Sequence, residues 1–220
     1  LKDSNTIRAR WAARMLQKLD AGEKFFEKNN QDGGQPGGNI RVGFLFNPSR
    51  VTFVDRAGGT ATNATGVVNN NGNLETTLSP GRLQDSNLAD GAAFNASRKP
   101  LVGEFLFNGR QVIVVSNHLN SKGGDQPLSG PTQSPLVFSE TQRLQQAQII
   151  NDFVDSALAI NPNANIVVLG DINDFEFSEP TNVLRGVPNG VGTPVLTSLL
   201  TTLPANERYT YNFQGNAQVL

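Results

Sequence analysis

The sequence holds no cysteine and a single histidine, His118, among 220 residues. The lack of thiols excludes disulfides, thiolate-held zinc and a cysteine nucleophile, and one histidine excludes an all-histidine metal cage. Any metal held by this chain would rest mainly on carboxylate, amide and water oxygens, the donor set of magnesium, calcium or manganese. Excess charge of either sign is also lacking: Lys+Arg 18 against Asp+Glu 19 leaves a net charge of −1. Overall electrostatic capture of nucleic acid or an anionic membrane is thereby excluded, and an anion site has to be local. No run approaches the ~20 apolar residues of a membrane-crossing helix, so no membrane span is expected. The opening Leu1-Lys2-Asp3-Ser4-Asn5 does not read as a signal peptide. With 37% hydrophobic and 17% charged residues, the expectation is one domain with a sizeable core.

What is present divides into segments. Ile7, Trp11, Met15 and Leu19 recur every four positions, so residues 1–28 read as an amphipathic helix, with Arg10, Arg14 and Lys18 on another, solvated face. Glycine and proline at residues 32–38 break the chain, separating an N-terminal unit, 1–31, from the main domain, 32–220. Residues 40–47 and 51–54 read as two strands joined by a turn at Asn47-Pro48. Residues 57–93, rich in Gly, Asn, Thr and Ser, read as a long surface loop. Residues 101–107 and 111–116 flank Asn108-Gly109, a hairpin signature. Ser139 and Gln142 suggest a capping box opening a helix whose apolar face is Leu144, Ala147, Ile150, Val154, Ala157 and Leu158, and Asn161-Pro162 ends it. The wholly apolar Ile166-Val167-Val168-Leu169 predicts a buried strand running into Gly170-Asp171, and Tyr209 to Phe213 is a final strand candidate. Strands and helices in alternation indicate an α/β or α+β layered sheet protein.

Two apolar strands thus end on polar side chains: Ser116-Asn117-His118 after one, Asp171-Ile172-Asn173-Asp174 after the other. Strand ends in layered sheets are where ligand sites form. Asp171 and Asn173, two apart, share a side if the strand conformation persists, which would offer a carboxylate and an amide to a hard cation or a phosphate.

The segments Ser116-Asn117-His118-Leu119-Asn120-Ser121-Lys122-Gly123-Gly124-Asp125 and Val168-Leu169-Gly170-Asp171-Ile172-Asn173-Asp174-Phe175 resemble the endonuclease/exonuclease/phosphatase superfamily, the deoxyribonuclease I-like fold. They are most similar to its bacterial extracellular nuclease-type members. Arg98-Lys99-Pro100-Leu101, the Gln-rich helix after Gln142 and Glu207-Arg208-Tyr209 agree in order and spacing.

The resemblance implies a four-layer sandwich, two mainly antiparallel β-sheets flanked by helices, and a phosphodiester hydrolase dependent on Mg2+ or Mn2+, with Ca2+ a third candidate. It implies that His118 acts at the phosphate near the leaving oxygen. Asp171 would orient or deprotonate the attacking water, and Asn173 would hold a phosphate oxygen or metal-bound water. Asp171 and Asn173 would be the metal-side residues. Arg98, Asn117 and Lys122 would contact phosphate, with Arg143 a further candidate for the groove. Nucleic acid is the implied substrate, and an extracellular or periplasmic location is implied on the same ground. A phosphatase or phospholipid diesterase on the same scaffold and a non-catalytic binding module are the competing readings. The family's early Q-E glutamate and late S-D-H histidine have no counterpart in this sequence. The expectation is therefore a domain incomplete at both ends, less stable and less active than an extended version.

Overall fold

The computed structural model describes residues 24–26, 42–59, 63–83, 93–94, 97–127, 130–213 and 216–218. The amphipathic pattern of residues 1–28 lies outside them except for Lys24–Phe26, which forms a strand, β1, paired antiparallel with β2, Phe44–Phe46.

The hairpin signature at Asn108-Gly109 organises the larger sheet. Both turn residues take positive φ, +50° and +73°, as a tight two-residue turn requires. Strand β7, Leu101–Phe107, folds back on β8, Arg110–His118, with Phe107 opposite Arg110 and Leu101 opposite Ser116. Strand β3, Val51–Val54, joins the other edge of β7, as does the short β6, Gly81–Arg82. Helix α1, Glu140–Ile160, then carries the chain over one face and returns it as β9, Ile166–Asp171, parallel to β8. The sheet order is β3-β7-β8-β9, with β6 beside β7.

Side chains alternate between the two faces. One face presents Val102, Ile113, Val115, Ile166 and Val168 to Ala147, Ile150, Phe153 and Ala157 of α1. Leu74, from a hairpin of β4, Val67–Asn70, and β5, Asn73–Thr76, completes this core. The other face meets β2 through Leu101, Phe105, Val42 and Phe44. The Phe44 and Phe105 rings meet edge to face at 5.2 Å. Gly103 makes that approach workable, because a Cβ there would lie 2.7 Å from the Phe44 ring. Helix, sheet and a second, facing strand pair are thus stacked in layers, and the α/β expectation holds.

The two strands expected at 40–47 and 51–54 form, as Phe44–Phe46 and Val51–Val54, and the turn between them, closed by Asn47 Oδ1 accepting from Ser49 N at 2.9 Å, passes the chain from one sheet to the other. Other expectations need correction. The 57–93 segment is not one surface loop: it contains β4, β5 and β6, and Leu74, Thr76, Ser79, Arg82 and Leu83 are buried. Helix α1 begins where expected, but the capping box does not form. Ser139 makes no side-chain cap, because its Oγ donates to the Asp125 carboxylate. Strand β9 is not fully buried: on the face it shares with Asp171, Val167 is 38% and Leu169 46% exposed, while Ile166 and Val168 pack against α1 on the other. The final strand is shorter than expected: β10, Tyr211–Phe213, pairs with β11, Asn216–Gln218.

The sheet also buries a carboxylate that sequence pattern does not reveal. Glu104, in β7, accepts a two-pronged contact from Arg56 at 3.0 and 2.9 Å and a hydrogen bond from Thr76 Oγ1 at 3.0 Å. Burial pushes its pKa up, but the Arg56 contacts and the hydrogen bonds outweigh burial and hold it below 4.5.

Candidate active site

Strands β8 and β9 run parallel with Asn117 opposite Gly170 and His118 opposite Asp171. Two distant sequence segments therefore deliver His118 and Asp171 side by side, on the sheet face that also bears Leu101 and Phe105. The His118 Nε2 to Asp171 Oδ2 distance is 3.6 Å. That is beyond a direct hydrogen bond, yet one oxygen can sit within hydrogen-bond reach of both atoms.

Local chemistry fixes this geometry. Gly170 has φ +126°, and a Cβ on it would fall 2.0 Å from the Asn117 carbonyl oxygen, so no other residue lets β9 lie this close to β8 at its end. Asn117 is buried, and its amide donates to Val115 O at 3.0 Å and Leu169 O at 3.1 Å, tying the two strand ends together. Asp171 Oδ1 accepts the Asn173 N–H at 2.9 Å, a local turn that leaves Oδ2 toward His118.

The strand conformation does not persist past Asp171. Asn173 has φ +53°, and its Nδ2 donates to Leu119 O at 3.0 Å. Asp171 and Asn173 are thus neighbours through a turn rather than two groups presented on one strand face.

Because β7 starts beside the end of β8, the segment just before β7 reaches the same place. Arg98 is buried there, donates from a terminal guanidinium nitrogen to Leu119 O, and keeps a buried Nε without a hydrogen-bond partner. Burial lowers the Arg98 pKa, with the Asp171 charge opposing. Burial, then the Arg98 charge, also lower the His118 pKa below 6.5, against the pull of Asp171. A lowered pKa makes the imidazole neutral at pH 7. Lys122 reaches the same loop, its Nζ donating to Asn173 O at 2.9 Å, and burial lowers its pKa as well.

Under the site lies a buried ionic network that sequence reading missed. Arg143, 2% exposed, binds Asp174 at 2.6 Å and Asp125 at 3.4 Å, and donates to Ser139 Oγ. This places Arg143 away from any solvent groove, correcting its expected phosphate contact, and gives it the task of joining α1 to the 120–125 and 171–175 loops. Gln146 adds to this: fully buried, it accepts from Asn120 N at 2.8 Å and donates to Ala93 O at 2.7 Å and Ser97 Oγ at 3.0 Å. The polar run Glu140 to Arg143 and the glutamines that follow it are the sequence signal for such long-range pairs.

Among the described residues, no group of three His, Cys, Asp or Glu could hold a metal ion. Asp171 nonetheless offers the kind of ligand a magnesium-type ion uses, since such ions take one or two carboxylates and complete their shell with water and substrate phosphate. The residues fit an ion bound jointly with substrate rather than a closed protein cage.

A polar pair at the ends of adjacent parallel strands in a layered α/β sheet, with a buried guanidinium beside it, has the chemistry that suits an anionic ligand. The model of the Endonuclease/Exonuclease/phosphatase family matches residues 85–220, and the chain belongs to that family. The comparison with curated proteins yields no match. Among solved structures, the chain is similar to D. rerio TDP2 complexed with single strand DNA product, at 16% identity over 81% of this chain and 49% of that one, with a TM-score of 0.42. It is also similar to the human Nocturnin catalytic domain with bound sulfate anion, at 15% identity over 93% of this chain and 61% of that one, with a TM-score of 0.49. The chain thus spans less than two thirds of either. No described helix is long and apolar enough to cross a membrane.

Proposed function

We propose that the chain hydrolyses phosphate esters, and that its substrate is a phosphodiester of nucleic acid. The observation that carries this reading is the in-register pairing of His118 with Asp171 at the ends of β8 and β9. In hydrolysis, water attacks phosphorus and the bond to the leaving oxygen breaks, so one group must take the water's proton and another must support the leaving side. Asp171, with Oδ1 held by Asn173 N–H, accepts the proton of the attacking water at Oδ2. His118, neutral at pH 7, faces the phosphate and hydrogen-bonds the leaving oxygen. Arg98 supplies positive charge to the phosphoryl oxygens from a buried position, where charge acts most strongly. Lys122 and Asn173 hold the loop, and Asn117 holds the strand ends. Asp171 would also hold a Mg2+ or Mn2+ ion, which when bound neutralises phosphate charge and lowers the pKa of water.

The test is turnover of supercoiled plasmid, a small phosphodiester and a phosphomonoester by the purified chain with Mg2+, Mn2+ or EDTA. Diester cleavage that needs the divalent ion, with plasmid cleavage falling steeply as salt rises, supports the reading. Turnover of the monoester alone would make the chain a phosphatase, and no turnover by a folded chain contradicts a catalytic role.

A further inference from the structure

Six residues beyond Asp171, the same loop presents an aromatic surface that hydrolysis does not use. Phe177 is 70% exposed, and its ring stacks on Phe175 with centroids 5.3 Å apart and planes within 2° of parallel. Lys122 Nζ lies 4.9 Å from the Phe175 ring centroid while it bonds Asn173 O, so the rings are anchored to the residues that hold Asp171. The Phe175 backbone is tied to its neighbours as well. Phe175 O accepts hydrogen bonds from Ser178 N at 3.1 Å, Ser178 Oγ at 2.8 Å and Thr181 Oγ1 at 2.8 Å. Phe175 N donates to Asp174, the carboxylate bound by buried Arg143.

An exposed phenyl ring contributes little to folding, yet this one lies parallel to the Phe175 ring beside the catalytic loop. It borders a groove of about 660 Å³ that begins at Gly170 and Ile172, is walled by Leu199 and Leu203, and contains Arg185. The Arg185 Nε is buried without a hydrogen-bond partner. A flat, exposed ring face beside a groove that also holds the Arg185 guanidinium suits a planar heterocycle carried on an anionic backbone.

We propose that Phe177 is a stacking platform for an unpaired nucleobase of a strand whose phosphate lies at His118 and Asp171. The proposal rests on the phosphodiester reading above and narrows it to single-stranded or unpaired substrates, because the faces of a paired base are already covered by its neighbours in the duplex. Stacking on a protein ring is tolerant of base identity, so the platform selects strandedness rather than sequence.

The test is fluorescence anisotropy in EDTA, where binding is read without turnover, using a labelled oligothymidine of about 12 nucleotides and an abasic strand of the same length. Oligothymidine is expected to bind at least about fivefold more tightly than the abasic strand. Phe177→Ala should erase that difference, and Phe177→Trp should preserve it. Equal affinity for the two strands, including no binding to either, overturns the proposal, as does a difference that survives in Phe177→Ala. A chain that turns over a small phosphodiester without base preference refutes the platform alone, and base preference without turnover refutes the hydrolytic reading alone.

Discussion

Gly170 lies so close to Asn117 that a Cβ on the glycine would sit 2.0 Å from the Asn117 carbonyl oxygen, in a backbone conformation of φ +126° that side chains rarely adopt. This contact sets how near the end of β9 comes to the end of β8, and so the separation of Asp171 from His118. Gly170→Ala is expected to lower stability by about 2–4 kcal/mol, through strain and forced separation of the strands. Urea denaturation measures the loss. Because the strand ends part, turnover should fall further than the fraction unfolded explains; a variant of unchanged stability and activity would show that the close approach is not required.

Arg143 is expected to matter through support rather than contact. Replacing it with methionine leaves buried Asp174 and Asp125 without their hydrogen-bonded guanidinium, with only the nearby Lys122 ammonium to offset their charge, at a cost of about 3–5 kcal/mol. Reversing the ionic logic with Arg143→Met, Asp125→Asn and Asp174→Asn together should recover much of that loss, since a neutral set carries no uncompensated charge. Chemical denaturation of the single and triple variants checks both steps.

His118 is the only histidine, so its imidazole gives an unambiguous proton NMR titration. In EDTA its midpoint is expected below 6.5, because burial and the Arg98 charge disfavour the protonated form. Arg98→Met removes a repelling charge and should move the midpoint up. Asp171→Asn removes an attracting charge and should move it down. Opposite signs, or no response to either substitution, would separate these side chains from His118 electrostatically.

The elements that sequence pattern reveals are those written in local chemistry. Asn108-Gly109 between two β-rich runs specifies β7 and β8, the apolar spacing from Leu144 to Leu158 specifies α1, and polar residues closing two apolar strands mark His118 and Asp171. Where sequence reading fails, the deciding partner is distant. Val67–Asn70 and Asn73–Thr76 are too polar to read as strands, yet Leu74 reaches the core and Thr76 binds Glu104. Ser139 looks like a helix cap until Asp125 takes its hydroxyl. Arg143 looks like a surface cation until Asp174 buries it. Ile166–Leu169 reads as a buried strand because it is wholly apolar, whereas the described sheet leaves it at an edge with Val167 and Leu169 exposed. Alternation and spacing report which residues share a face, and they carry no information about what the chain later brings against that face.

The joint action of His118 and Asp171 on one phosphate is tested most directly by kcat for a small phosphodiester in wild type, His118→Ala, Asp171→Asn and the double variant. Each single substitution is expected to lower kcat about 10²–10⁴-fold, the range of a positioned proton-transfer group. The double variant should be little worse than the poorer single, as residues acting in one step are not additive. Losses that multiply, or singles that retain wild-type kcat, would contradict a shared catalytic step at the ends of β8 and β9.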